Sequence, residues 1–193
     1  MHHKTLLIFN YVCKVGFGSL TGKTIKFIRA GRFTSVIYYR DLIYTLDMNS
    51  NYVNVFKQSD SWKRIRSFKV WSNEGSTHFI TLAATNGKLY VCVPLEHIID
   101  VYSLSGKFHK TCGISGSHHV GELDRPYICC RIGNKGILVA DQRNERLQVI
   151  DAKHRWHILS LRIERQSDPR SALIIGDRLL VNFWKTQTIA FYK

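Results

Sequence analysis

The chain has 193 residues, with 28 Lys and Arg against 14 Asp and Glu, so its formal net charge is +14. A hydrophobic content of 45% and only 3 prolines argue against a disordered chain. The charge favours an anionic partner such as nucleic acid or a membrane surface, although a lysine-rich solvated surface would also account for it.

The number and spacing of the cysteines predict where in the cell the protein is located. Their number, 5, is odd and no CxxC pair occurs, which is typical of a reduced intracellular protein, and we expect a cytoplasmic location. The apolar stretch from Leu6 to Cys13 is interrupted by Asn10 and closed by Lys14. It is too short to span a bilayer and does not resemble a signal peptide, so we expect no membrane contact.

One strand–turn–strand pattern recurs along the chain in fixed register. Four segments align without a gap, at 43–56, 89–102, 137–150 and 179–192. The residues equivalent to Asp47 in the later copies are Val93, Asp141 and Phe183. A repeat built only from strands, with a period of roughly 40–50 residues, predicts a β-propeller.

The repeat divides the chain into units of up to four strands. We predict an all-β protein with a single, partial propeller domain over 1–193, with five blades visible of an expected six. The first unit begins on a second strand, so we expect the propeller to be incomplete at the N-terminus. The predicted blades cover roughly 1–31, 32–70, 77–113, 126–162 and 170–193.

The third full unit has a specific motif. Residues 121–126 read Gly-Glu-Leu-Asp-Arg-Pro, 136–141 form an apolar run ending in Ala-Asp, and 144–149 read Asn-Glu-Arg followed by an apolar strand. This stretch resembles the NHL repeat. In the other units the motif is degenerate, because Val93 and Phe183 replace the aspartate.

The resemblance implies an NHL-type six-bladed propeller. Such domains are best known at the C-terminal end of tripartite-motif (TRIM-NHL) ubiquitin ligases, where some bind single-stranded RNA or RNA stem-loops through a basic face. Others bind proteins, and a few NHL-like propellers are secreted enzymes. The chain has no RING or B-box zinc spacing, so any ligase activity would reside in other domains.

In this fold the loops between blades and the turns between second and third strands share one face. Arginines beside exposed aromatic rings suit single-stranded nucleic acid, because the cations neutralise phosphates and the rings stack on bases. Trp184 has an alternative role as a wedge between blades. The predicted binding residues are Arg32, Phe33, Arg125, Arg143, Arg170, Trp184 and Lys185.

The motif's own polar residues have a different predicted role. Short carboxylates and amides accept backbone N–H groups in tight turns, and an arginine can pair with the carboxylate. We therefore assign Asp47, Asp141, Asn144 and Arg146 to turn structure. Arg143 has no evident duty in that turn and is the better candidate for ligand contact.

No catalytic group, metal or cofactor is expected. His118 and His119 are adjacent rather than spaced as metal ligands, and no nucleophile with a base and an orienting group stands out. The leading hypothesis is a non-catalytic platform that recognises single-stranded or stem-loop RNA. The alternatives are a module that recognises protein substrates of a TRIM-type ubiquitin ligase and, third, a secreted lyase-like propeller enzyme.

Overall fold

The structure is a computed structural model that describes residues 5–10, 14–19, 24–29, 33–47, 50–57, 62–70, 80–159 and 168–193. Within these ranges the chain is built from β-strands, and the one helical segment is a single 3-10 turn at Gln142–Asn144. The chain divides into two compact units, residues 1–78 and 79–193.

The first unit contains two antiparallel sheets. The three-stranded sheet has the order β1 (Thr5–Asn10), β2 (Lys14–Ser19), β3 (Thr24–Arg29). The four-stranded sheet has the order β4 (Phe33–Tyr39), β5 (Leu42–Asp47), β6 (Tyr52–Lys57), β7 (Lys63–Lys69). A cluster of Phe33, Ile43 and Phe56 is buried in the second of these sheets.

The second unit contains three larger antiparallel sheets and one short parallel pair. The first sheet comprises β8 (Thr81–Thr85), β9 (Lys88–Val93), β10 (Ile98–Ser103) and β11 (Phe108–Cys112). The parallel pair, β12 (Ile114–Ser115) and β13 (Glu122–Leu123), follows it. The next sheet comprises β14 (Pro126–Ile132), β15 (Gly136–Asp141), β16 (Arg146–Asp151) and β17 (Trp156–Leu159). The last comprises β18 (Pro169–Ile175), β19 (Arg178–Phe183) and β20 (Thr188–Tyr192).

The sheets of the second unit pack face to face around the central strand β15. One apolar cluster joins β8–β11 to β14–β17, with Tyr90 and Ile99 against Ile137 and Val139. A second cluster joins β14–β17 to β18–β20 on the other side of the sheet. Because both faces of β15 are covered, all of its residues are buried, and the strand reads as a continuous apolar run.

The repeat is visible in the backbone. Four non-glycine residues adopt a left-handed conformation immediately before the third strand of their sheet: Asn51 (φ 55°), His97 (φ 58°), Glu145 (φ 52°) and Gln187 (φ 53°). They occupy one position of the gapless sequence alignment, four residues after Asp47 and its equivalents. Since a left-handed conformation is uncommon for residues other than glycine, its recurrence at one alignment position shows that the repeat extends to the backbone.

Candidate nucleic-acid interface

The turn after β15 is organised around the fully buried carboxylate of Asp141. Its Oδ1 accepts the backbone N–H of Asp124 at 2.7 Å. Its Oδ2 accepts hydrogen bonds from Asn144 Nδ2 (2.9 Å), Arg146 Nε (2.8 Å) and Gln148 Nε2 (2.9 Å). A buried carboxylate is tolerated when it is both paired and hydrogen-bonded, as this one is. Through these hydrogen bonds, Asp141, Asn144 and Arg146 have a structural role in the turn.

The same side chains hold the loop that precedes β14. Arg146 Nη2 donates to the backbone oxygens of His119 (2.9 Å) and Glu122 (2.8 Å), and Asn144 Nδ2 donates to Gly116 O (2.8 Å). The Glu122 carboxylate accepts the backbone N–H groups of His119 and His118, at 3.0 and 2.7 Å. These two bonds lower the pKa of Glu122 below its usual value. The loop is therefore fixed to the turn.

Arg143 leaves this turn on the solvent side. Its backbone N–H donates to Asp124 O at 3.1 Å, and its Nη1 lies 4.0 Å from Asp124 Oδ1. The Arg143 side chain is 54% exposed, so this ion pair is long and solvated. Such pairs contribute about 0–1 kcal/mol to stability, so the guanidinium is available to a stronger anionic partner.

Arg125 and Arg143 both adjoin Asp124, which precedes Arg125 in the chain and pairs with the Arg143 side chain. The Arg125 backbone is left-handed (φ 51°), and its N–H donates to His97 Nδ1 at 3.1 Å. The same imidazole nitrogen lies 3.2 Å from Asp124 Oδ1. His97 comes from the turn after β9, so the loop before β14 contacts the turns of two successive sheets.

Arg170 is placed by an irregularity in β18. In the pairing of β18 with β19, Pro169 is opposite Phe183 and Ser171 is opposite Asn182, so Arg170 is an extra residue in its strand. Bulges of this kind redirect a side chain. The guanidinium carbon of Arg170 lies 4.4 Å from the ring centroid of Trp184 and 5.4 Å from that of Tyr127. Both distances are within cation–π range.

The two rings differ in exposure. Trp184 is 60% exposed, so its indole is presented to solvent rather than wedged between sheets. Tyr127 is buried, and burial raises its pKa, while the charges of Arg170 and Arg125 act in the opposite direction. The Tyr127 hydroxyl is therefore protonated at neutral pH, and its neutral ring supports the Arg170 side chain from the buried side.

Trp184 also borders an apolar groove of about 640 Å³ on the outer face of β18–β20. The groove is lined by Leu173, Leu180 and Ile189 with a few polar groups such as Asn182. The same face exposes further large apolar side chains, among them Phe191 at 68% exposure. This face is called the outer β18–β20 face below.

The predicted residues are not all brought together. Arg170 and Trp184 are in contact, and Lys185 follows Trp184 in the same exposed turn. Phe33 is 4% exposed and packs against Ile43 and Phe56, so the expectation of a surface ring there is wrong: the first residue of β4 faces the sheet core. Arg32 lies outside the described residues.

Asp47 ends β5 and is partly buried, and the two residues that follow it also lie outside the described ranges. The prediction of a structural turn at Asp47 therefore stays a prediction.

Sequence reasoning missed Tyr127 and His97. A signal for Tyr127 was present, because Pro126-Tyr127 and Pro169-Arg170 both open the first strand of their sheets. Aligning these dipeptides places Tyr127 and Arg170 at equivalent positions. No comparable signal exists for His97, whose role depends on a backbone N–H from the next sheet.

In the part of the chain that the structure describes, no three His, Cys, Asp or Glu side chains are grouped as ligands for a metal ion. Among the same residues, no helix is long and apolar enough to cross a membrane.

Comparison with known proteins gives structural matches only. No protein-family model matches the chain, and no curated protein matches its sequence. A catalytically inactive virginiamycin B lyase from Staphylococcus aureus, solved with quinupristin, matches 99% of this chain with a TM-score of 0.69 and 14% identity. BamB from Moraxella catarrhalis matches 97% of the chain (TM-score 0.62, 12% identity), and the WD40 repeats of RRP9 match 92% (TM-score 0.61, 10% identity).

The chain spans 67% of the lyase chain and 53% of the BamB and RRP9 chains, so it corresponds to between about half and two thirds of these structures. At such low identity the likeness shows the fold alone. The fold predicted from the strand repeat is confirmed: the chain is an all-β protein of the β-propeller type.

Proposed function

We propose that this propeller-type chain is a binding module for single-stranded nucleic acid, with RNA as the ligand, and that it binds through Arg170, Trp184 and Lys185. The observation that carries the proposal is the exposed Trp184 ring with the Arg170 guanidinium at 4.4 Å and a lysine next to it in the turn. The resemblance of residues 121–149 to the NHL repeat supports the choice of RNA.

The arrangement suits a flexible polyanion for two reasons. Arg170 is supported by Tyr127 beneath it, so Trp184 and its cation are held in place before a ligand arrives. Stacking of a base on an aromatic side chain contributes roughly 1–3 kcal/mol, and it is tolerant of sequence because every base has a π-face. Phosphates gain from nearby cations, and the net charge of +14 adds long-range attraction.

Arg125 and Arg143 extend the same proposal along the neighbouring loop. The Arg143 guanidinium is held only by a 4.0 Å pair with Asp124, and a phosphate would compete with that carboxylate for it. We propose that they contact the backbone of the ligand, whereas Trp184 stacks on a base. A contact of this kind carries no sequence preference.

The test is fluorescence anisotropy with labelled deca-uridine RNA at about 50 and about 200 mM salt. We expect Trp184→Ala to weaken binding by roughly tenfold or more, as loss of one stacked base would. Lys185→Glu should also weaken binding and should reduce the salt dependence. Lys153→Glu is the matched control, because Lys153 is likewise exposed in a turn of the second unit.

The proposal fails if the chain does not bind deca-uridine at low salt. It also fails if Trp184→Ala and Lys185→Glu bind as tightly as the unaltered chain does. Equal weakening by Lys153→Glu would mean that net charge, rather than this surface, accounts for the affinity.

A second candidate function, recognition of a protein, is supported by the outer β18–β20 face. Exposed apolar patches rimmed by polar groups are typical of protein interaction sites. Ile189 and Phe191 are both more than half exposed there. If Ile189→Ser weakens deca-uridine binding as much as Lys185→Glu does, and added salt has no effect, apolar contact dominates and the protein candidate replaces RNA.

A further inference from the structure

The outer strand of the β4–β7 sheet is strongly cationic. Lys63, Arg64, Arg66 and Lys69 lie on β7, and Lys57 ends the adjacent strand β6. In the described part of the first unit the carboxylates are Asp41 and Asp47, and Asp41 accepts the Tyr38 hydroxyl at 2.7 Å. The five cations therefore outnumber the described carboxylates of this unit. These cations are called the β7 cationic edge.

The pairing of β7 with β6 places like charges against each other. Lys57 is directly opposite Lys63, an arrangement that destabilises a sheet. The Nε of Arg66 is buried and has no hydrogen-bond partner among the described groups. A bound anion would relieve the repulsion between Lys57 and Lys63.

The cations lie on both sides of the sheet. Arg64 is on the side of Asn54, to which its Nη1 donates at 3.4 Å. Lys63 shares the opposite side with its partner Lys57, because neighbouring residues of a strand point to opposite faces. The irregularity at Ile65 then puts Arg66 opposite Val55, on the Lys63 side. A ligand along this edge would meet positive charge on both of its own faces.

The backbone at the edge decides between two classes of anionic partner. In the described structure β7 pairs only with β6, so its other side carries unpaired N–H donors and C=O acceptors in alternation. A nucleic-acid backbone offers mainly phosphate acceptors, with the 2′-hydroxyl of RNA as its donor, and it does not reproduce the regular alternation of N–H and C=O groups that the edge requires. A peptide strand offers both groups and can also carry carboxylates on both faces.

We propose that the β7 cationic edge binds an extended acidic peptide, which adds to the β4–β7 sheet as a fifth strand. Main-chain hydrogen bonds to the edge supply affinity, and the five cations select carboxylates at neighbouring positions, which point to opposite faces of the added strand. The same charges repel a second copy of β7, which fits the way that edge lysines protect a sheet from self-association. This proposal is independent of the RNA proposal, which concerns the second unit.

The test uses the full chain and labelled peptides of about ten residues, comparable with the 7 residues of β7. One peptide has pairs of neighbouring acidic residues separated by Thr and Val, so that carboxylates point to both faces. A second has Lys in place of each acidic residue, and a third is the acidic peptide with every backbone nitrogen methylated. We expect the acidic peptide to bind, and the other two to bind at least tenfold more weakly. The proposal is overturned if the methylated peptide binds as well as the unmethylated one, because strand pairing would then be unnecessary.

The double variant Lys63→Glu with Lys69→Glu locates the site. We expect it to weaken acidic-peptide binding by about tenfold, since several exposed charge pairs are lost together. The matched control is Lys107→Glu with Lys110→Glu, which makes the same charge change in the equivalent outer strand β11 and at the residue before it. Circular dichroism of both variants would show whether the strands are retained.

Two outcomes separate this proposal from the RNA proposal. Trp184→Ala should leave acidic-peptide binding unchanged, even if it abolishes deca-uridine binding. If the Lys63/Lys69 variant loses deca-uridine binding and keeps peptide binding, the β7 cationic edge is a nucleic-acid surface and the peptide proposal is wrong.

Discussion

The turns after β15 and β19 occupy the same place in the repeat and have opposite chemistry. After β15, the buried carboxylate of Asp141 accepts four hydrogen bonds, three of them from the side chains of Asn144, Arg146 and Gln148. After β19, Phe183 fills the equivalent position in the core, and Trp184 turns outward. Both turns nevertheless bond to the preceding loop, through Arg143 N–H to Asp124 O at 3.1 Å and Trp184 N–H to Asp168 O at 3.0 Å.

This difference shows which part of the repeat carries the fold. The left-handed residue before the third strand and the backbone bond to the preceding loop occur in both turns. The carboxylate network occurs in only one of them. A turn without the network retains its backbone and exposes its side chains, which is why the aromatic surface lies at β19 rather than at β15.

The largest expected effect tests the network of the β15 turn. Asp141→Ala should lower the free energy of unfolding by about 3–5 kcal/mol, because it leaves the buried donors of Arg146 and Gln148 without their acceptor. Urea denaturation followed by circular dichroism measures the change. The exposed Asp177→Ala should stay within about 0.5 kcal/mol of the unaltered chain. A loss below about 1 kcal/mol for Asp141→Ala would show that the network does not hold the turn.

A smaller effect, dependent on pH, tests the loop before β14, to which Asn144 and Arg146 of the β15 turn donate hydrogen bonds. The two backbone N–H bonds lower the pKa of Glu122, so its contribution to stability is present above its unfolded pKa and is lost as the pH falls through the folded pKa. Glu122→Gln should therefore reduce the drop in urea midpoint between about pH 7 and about pH 3. An unchanged drop in the variant would remove Glu122 from the groups that stabilise the folded state.

The smallest effect is expected at the β19 turn. Trp184→Ala should change the free energy of unfolding by no more than about 1 kcal/mol, the contribution of an exposed cation–π contact with Arg170. The same urea experiment measures it. A loss of several kcal/mol in the free energy of unfolding would mean that Trp184 packs in the folded core. Its proposed contact with a ligand would then have to be separated from its effect on folding.

Much of the fold could be predicted because the repeat is regular at the level of hydrophobic pattern. The apolar run at 136–141 coincides with β15, and the aligned segments at 43–56 and 137–150 each contain a second strand, a turn and a third strand. The gapless alignment of the repeats matches the recurrence of left-handed residues from Asn51 to Gln187. Local sequence determines these features, since each strand and turn carries its own apolar and turn residues.

The candidate site could be predicted only in part, because its contacts depend on details between strands. The contact of Arg170 with Trp184 requires the extra residue in β18, and nothing in the local sequence specifies that irregularity. The burial of Phe33 likewise depends on which way the first residue of β4 faces. The role of a residue at the end of a strand depends on the pairing register there. The hydrophobic pattern of the sequence does not define that register to within one residue.

The outer β18–β20 face bears on how the protein behaves in solution at different salt concentrations. At low ionic strength the net charge of +14 keeps molecules apart despite the exposed Ile189 and Phe191. At about 0.15 M salt the screening length is only about 8 Å, so this repulsion is weak and apolar faces can approach. We therefore expect salt to weaken the proposed nucleic-acid binding and to promote self-association together, so a loss of affinity at high salt has to be read beside a light-scattering measurement of particle size.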